Sequence, residues 1–465
     1  MMIEMNNSND RKDHCIFNLP LKEKKMNKRI LISLCIALVM VALTLVGCQP
    51  AKEETPTEAQ SAPTTEVPAT QAPVIQVPTE PCTVKVGAPI MITGVGAAMG
   101  LEIQDGAKLA VEKLNETGGV LGCQIELVFA DVKGTSAEDC ALAAQVMDEN
   151  DVVFYIAGAY FSPACIDEFG KREPLLMHNS ASKDMNDVVI ANLPEYRNIF
   201  ATCADEYAYG PNAFDVLVNQ VGPKLGFEFP NKKVALLGGD ITYDMYIQAG
   251  AKKAFEAAGW ESVLNDTYPY GNTEFGSQLA RIRAEKPAVV MGQITSIDSA
   301  VAFMNQFLTN PTNSLVYDQW APASSEYITL LGEKANGVTW QTLLDILPQN
   351  KDSYYPRFQK EFGRLPGTFA PLTEDHFGIW KAAVESCGDF KAFDCIDTYV
   401  EQLDQHPYVG LAGRYGMDPA THVGRAGDDW LPVQFIQIQD QKNVTLYLGS
   451  KPMEGTAFQT PPWFK

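Results

Sequence analysis

Gly94, Gly96 and Gly100 stand in a Gly-x-Gly-x-x-x-Gly spacing within TGVGAAMG (93–100). They follow a β-rich run and precede a helical one, and Asp131 closes the next β-rich run. In a dinucleotide site such glycines let backbone amides reach a pyrophosphate while the acid takes a ribose hydroxyl. A nicotinamide-dependent oxidoreductase is therefore one chemistry to weigh. The spacing argues against it, because Gly94 lies four residues beyond Ile90 and the fingerprint turns directly after its strand. A Gly-rich loop whose amides face a small ligand explains the same residues without a cofactor. Metal chemistry is weakly encoded too. The five histidines (14, 178, 376, 406 and 422) are scattered and no Cys-x-x-Cys occurs, so no zinc site is expected. The expectation is a binding protein, not an enzyme, with no cofactor.

Cys48 raises a different chemistry. Met26-Asn27-Lys28-Arg29 is a short basic segment, and Ile30 to Val46 is about 17 residues without charge. Leu45-Val46-Gly47-Cys48 then resembles the bacterial lipobox, where the chain is cut before a cysteine whose thiol carries lipid. The other reading is an uncleaved membrane anchor, since such a run is at the low edge of a span. Residues 49–81 hold Pro, Thr, Ala, Gln and Glu and almost nothing large and apolar, so they cannot offset chain entropy by burial. The reading is residues 1–25 as a mis-assigned upstream start, 26–47 as a lipoprotein signal peptide and 48–81 as a disordered tether. That places the rest outside the cytoplasm, held to a membrane through a lipidated Cys48, where disulfides form and nicotinamide cofactor is scarce.

About 384 residues remain from Cys82 to Lys465, enough for two domains. The formal net charge of −21 becomes more negative without the leader, which carries seven basic and four acidic residues over 1–47. Such a chain is a poor partner for nucleic acid or anionic lipid heads. A monomer is expected. Seven cysteines lie beyond Cys48, so at least one is unpaired. Cys82 and Cys123 each precede one of two neighbouring parallel strands; Cys140 and Cys165 could join adjacent helices; Cys387 and Cys395 are close in sequence.

The elements that would position these residues alternate. TVKVGAPI (83–90) reads as a strand, 101–119 as a helix stopped by Gly-Gly, 123–131 as a strand, 135–149 as a helix, and 152–158 and 173–182 as strands. The pattern restarts with a strand at 232–240, helices at 243–260 and 272–287, a strand at 288–293 and a helix at 300–310. Strands alternating with helices imply α/β architecture with parallel sheets and right-handed crossovers. Two such units in series suggest two lobes that pool their strand ends into one site.

DGAKLAVEKLNETGGVLG (105–122), YPYGNTEFGSQLARIRAEKP (268–287) and GRYGMDPATHVGR (413–425) together resemble the substrate-binding proteins of ATP-binding cassette (ABC) transporters of the Leu/Ile/Val-binding type. The resemblance runs from about Thr83 to Lys465. It implies the type I periplasmic binding protein fold: two Rossmann-like lobes joined by three crossings, with 82–203 and 345–412 as the first lobe and 204–344 and 413–465 as the second. It implies capture of a branched-chain or other hydrophobic amino acid for a membrane permease. A short amide, urea or aromatic acid is the close alternative, and a ligand-sensing receptor domain a further one. It also implies contacts. Tyr160, Phe161 and Ser162 follow the third strand in a Gly-x-Tyr-x-Ser spacing similar to amide- and urea-binding members. Ser180 and Ser182 follow the fourth strand. In the second lobe the implied contacts are Tyr243, Gln293 with Thr295, and Asp318 for the ligand's ammonium group. Against these stand plainer readings: Ser182 as a helix cap, Phe161 and Tyr243 as core aromatics, Asp318 as a turn residue.

Overall fold

The computed structural model describes residues 81–465 apart from Val95, Ala159 and Tyr160. The leader, Cys48, the tether before residue 81 and the expected contact Tyr160 lie outside the described residues.

The first lobe grows from β1 (Thr83–Ile90), β2 (Gln124–Asp131), β3 (Phe154–Gly158), β4 (Leu175–His178) and β5 (Ile199–Ala201). These strands pair in parallel in the order β5-β4-β3-β1-β2. β3 and β4 are buried on both faces, as continuous apolar runs covered by helices should be. Helix 97–116 buries Ile103, Ala107, Leu109 and Ala110 on one stripe. It ends where Gly118 and Gly119 adopt φ of 99° and 77°. Helix 137–149 starts at Ser136, whose hydroxyl accepts from the Asp139 amide.

The second lobe contains β6 (Lys233–Gly239), β7 (Glu261–Tyr268), β8 (Val289–Gln293), β9 (Leu315–Asp318) and β10 (Thr339–Thr342), parallel in the order β10-β9-β8-β6-β7. Each lobe thus starts on one strand, steps to one side, then returns to the other side of that first strand. The order reverses between β1 and β3 and between β6 and β8. Those switch points, beyond the carboxyl ends of the strands, are where open α/β sheets leave a crevice.

The chain crosses between sheets after β5, again after β10, and last between β14 and β15. Two-residue strands β11 (Tyr408–Val409) and β12 (Arg414–Tyr415) form a small hairpin. Then β13 (Met417–Asp418) and β14 (Val423–Gly424) extend the first sheet beyond β5, which corrects the boundary expected at 413. The reason is local: the Ala201 amide donates to the His422 carbonyl at 3.0 Å and the His422 ring stacks on Phe200 at 4.2 Å. The chain reaches the second sheet only at β15 (Gln434–Gln439), which pairs antiparallel with β10, followed by β16 (Lys442–Leu448) and β17 (Lys451–Pro452). Helices 351–362 and 369–387 pack on helix 97–116 of the first lobe.

Three disulfides join Cys82 to Cys123, Cys140 to Cys165 and Cys387 to Cys395, and Cys203 is a buried free thiol. Among the described residues no helix is long and apolar enough to cross a membrane, and no group of three or more His, Cys, Asp or Glu is placed to hold a metal ion.

Candidate functional site

The loop after β1 is built by one acid. Asp131 accepts the Ile92 amide at 2.9 Å, the Thr93 amide at 3.3 Å, the Thr93 hydroxyl at 2.6 Å and the Lys133 amide at 2.9 Å. Partial burial opposes its charge, but the Thr93 hydroxyl and these amides hold its carboxyl below the usual range. The glycines at 94 and 100 serve shape. Gly94 has φ of 89°, and a Cβ on Gly100 would lie 1.7 Å from the Met91 carbonyl oxygen. Gly100 lets helix 97–116 start directly over that loop. What looked like a nucleotide fingerprint is a packing device beside the first switch point.

The first-lobe residues expected at the site split into structural and open groups. Phe161 is 8% exposed and packs on Phe169 at 5.6 Å. Ser162 caps helix 163–169: its hydroxyl accepts the Cys165 amide at 3.3 Å and donates to the Thr135 carbonyl at 2.8 Å. The Ser180 hydroxyl donates to the Gly158 carbonyl at 3.1 Å, tying the end of β4 to the end of β3. Ser182 caps helix 183–191 through the Met185 amide at 3.5 Å. The plainer reading of Ser182 is therefore present in the structure, and Ser162 shares it. Between these serines stands a residue that sequence reasoning missed. Asn179 is 2% exposed, and neither atom of its side-chain amide has a partner among the described residues. A buried amide left in that condition costs free energy unless something else fills its needs.

The second lobe gathers its groups at the ends of β6, β8 and β9. Gly238 pairs with Gln293, and Gly292 pairs with Asp318. Gln293 is fully buried, and neither of its amide atoms has a partner among the described residues. The Ile294 amide donates to Asp318 at 3.2 Å, and burial, followed by the nearby Asp244, pushes the Asp318 carboxyl well above its ordinary value. Asp244 accepts the Gly239 amide at 3.0 Å and the Thr295 hydroxyl, and burial raises it to about 7. Sequence reasoning chose Tyr243 and passed over this neighbouring acid. The Tyr243 ring is half-buried and lies 6.4 Å from that of Tyr209. Burial, then Tyr209, Asp244 and Glu206, raise its phenol well above the ordinary value.

Contacts across the lobes fix the rest. Glu206, after the first crossing, accepts the Lys183 amide at the start of helix 183–191. Tyr246 donates to Asp184 at 3.2 Å, joining helix 242–257 to helix 183–191. Trp320, after β9, has φ of 83° and ψ of −58°, a costly backbone for a large side chain, and its ring meets Phe369 at 5.7 Å. Strain of this kind concentrates at ligand clamps. The expected residues Ser180, Ser182, Tyr243, Gln293 and Asp318 all lie at carboxyl ends of strands or on the first turn beyond them. An arrangement of unpartnered amides and acids without cations can bind a polar solute.

A family profile described as periplasmic binding protein matches residues 83–441. The Leu/Ile/Val-binding protein BraC3 of Rhizobium johnstonii is 27% identical over 211 residues, 44% of this chain and 53% of that protein. The aligned part spans about half the length of such curated relatives. A crystal structure from Silicibacter pomeroyi, assigned provisionally to a branched-chain amino acid ABC transporter, superimposes with a TM-score of 0.75 at 26% identity, over 83% of this chain and all of that one. A solute-binding protein of an ABC transporter from R. palustris, solved with benzoate, matches with a TM-score of 0.64 at 17% identity, over 82% of this chain and 99% of that one. At that identity the likeness is one of fold alone.

Proposed function

The chain belongs to the periplasmic binding protein family across residues 83–441, and from that premise we propose that it captures an amino acid or similar solute carrying an ammonium group, and hands it to the permease of an ABC transporter. The observation that carries this reading is the buried amide of Gln293, which has no partner among the described residues, at the end of the strand that pairs with that of Asp318, a buried acid in no ion pair among those residues; Asn179, at the end of β4, is a second such amide. An ammonium group supplies the missing charge, and a solute's carbonyl-type oxygen takes an amide donor. Closure follows from differential contact: a solute that touches both lobes stabilises the closed form by the contacts it lacks in the open one. The names of the relatives support an amino acid over a neutral amide. The lipobox at Cys48 supports tethering by lipid, so that captured solute stays close to the membrane.

Thermal unfolding of the purified chain against amino acids, benzoate, acetamide and urea tests this. A ligand at a hundred times its Kd adds about 2.7 kcal/mol of stability. At least one amino acid should raise the Tm. A rise with benzoate or the amides and with no amino acid would overturn the reading. Cys48→Ala should abolish lipid attachment, and an intact chain of unmodified mass that begins upstream of residue 48 would show an anchor instead.

A further inference from the structure

One residue beside the site is held in a backbone that its side chain disfavours. Trp320 stands two residues after Asp318, with φ of 83° and ψ of −58°. The Ala321 amide donates to the Gln319 carbonyl at 3.2 Å, which closes a γ-turn around it. This is the rare hand of that turn, strained for any residue with a side chain. The relaxed hand, at about −75° and +65°, would send the side chain in another direction.

Neighbouring groups fix the turn from both ends. Before it, the Gln319 amide donates to the Gly292 carbonyl at 2.9 Å, so the turn starts on the ends of β8 and β9. The Gln319 side chain accepts from the Tyr317 hydroxyl and donates to the Gln341 carbonyl at 3.1 Å. After it, the Ala323 amide donates to the Trp320 carbonyl at 2.8 Å, and Asn443 donates to the Pro322 carbonyl at 3.2 Å. What the strain achieves is a direction. The indole leaves the end of β9 and meets the ring of Phe369, on the first lobe, at 5.7 Å. Phe369 is 3% exposed and starts helix 369–387, which is set against helix 97–116 by the close approach of Ala370 to Gly106. The Trp320 ring thus has a fixed wall behind it, yet the residue is only half-buried.

We propose that Trp320 determines the side-chain specificity of the solute site: the open part of its indole lies against an apolar side chain of the captured solute, and the strained turn holds it there. This rests on the solute-capture reading above and adds to it the part of the solute that the polar groups do not touch.

Calorimetry on the purified full chain with leucine and alanine, which share both charged groups and differ only in the side chain, reads the preference. Leucine should bind the parent at least tenfold more tightly than alanine. Trp320→Ala and Trp320→Gly should each weaken leucine at least tenfold and alanine less than threefold, and Trp320→Phe should keep most of the preference. Thermal unfolding without ligand reads the turn. Glycine alone adopts this backbone freely, so Trp320→Gly should melt at a higher temperature than Trp320→Ala, the reverse of their usual order. An alanine variant at least as stable as the glycine variant would show that the turn stores no strain and would overturn the device. A parent that binds leucine no more tightly than alanine, or variants that lose both ligands equally, would overturn the specificity role and leave solute capture standing. Benzoate or acetamide bound by the parent with no amino acid bound would overturn both.

Discussion

At the scale of single residues, the sequence shows where polar groups end strands but not which of them remain open. Ser162, Ser180 and Ser182 were legible as hydroxyls at strand ends. Two of them cap helices and the third bonds to a carbonyl, and a hydroxyl's partner depends on a neighbouring segment that the sequence does not place. Asn179, Asp244 and Glu206 gave no signal because acids and amides are common in loops; burial alone sets them apart. That burial has a measurable consequence. Glu102, Glu206, Asp244 and Asp375 are all raised to about 7, in each case chiefly by desolvation. A folded-state value above the unfolded one means that the folded chain holds the proton more tightly. The stability tied to these groups is complete below the ordinary values of 3.8 and 4.5 and is lost as pH rises through about 7. Asp131 and Asp428 are lowered, so their share disappears only on acidification below 3.8. The ligand-free protein should therefore unfold at a higher temperature at pH 5 than at pH 8. A Tm that is flat or rises across that range would mean that these carboxyls find partners or water that the structure does not show.

At the scale of elements, the long helices and the central parallel strands could be read from periodicity, because each offers eight or more residues of pattern or a continuous apolar run. Strands of two residues carry no period. That is why β13 and β14 were assigned to the wrong lobe, and why a family phrase at 413–425 marked similarity without marking topology. Packing between helices was equally hidden. Helix 97–116 meets helix 369–387 at Gly106, where a Cβ would lie 2.6 Å from the Ala370 carbonyl oxygen and 2.7 Å from its Cα. Both are backbone atoms, so they cannot swing aside as a side chain would. Gly106→Ala should force the helices apart and cost about 1 to 3 kcal/mol, the usual range for overpacking. Urea unfolding of the two proteins measures it; equal midpoints would show that the helices slide to make room at no cost. The same contact holds helix 369–387 in place, and Phe369 at its start is the partner of Trp320 across the lobes.

For the whole molecule, two lobes followed from a strand–helix pattern that starts twice, but their contact surfaces did not, since no pattern within one lobe reports what the other presents. The structure shows a direct bond between them: Tyr246 of helix 242–257 donates to Asp184 of helix 183–191 at 3.2 Å, beside the site and close to the first crossing. This bond exists only while the lobes are together. In an open form both groups would be hydrated, so the net gain is that of one partly exposed hydrogen bond to a carboxylate, about 0.5 to 1.5 kcal/mol. Any solute that needs the closed form inherits that gain, because its affinity is scaled by the population able to bind. Tyr246→Phe removes the hydroxyl and keeps the ring, so it should weaken capture of the solute by roughly two- to tenfold. The Tm of the ligand-free protein should barely move, since neither lobe's core loses a contact. Asp184→Asn keeps an acceptor oxygen and should weaken capture less. Small-angle scattering should show the Tyr246→Phe protein more expanded than the parent at a subsaturating ligand concentration and equally compact at saturation. Unchanged affinity in Tyr246→Phe would mean that closure does not depend on this bond. Lost affinity together with a lowered Tm would assign Tyr246 to the stability of its own helix, not to the joining of the lobes.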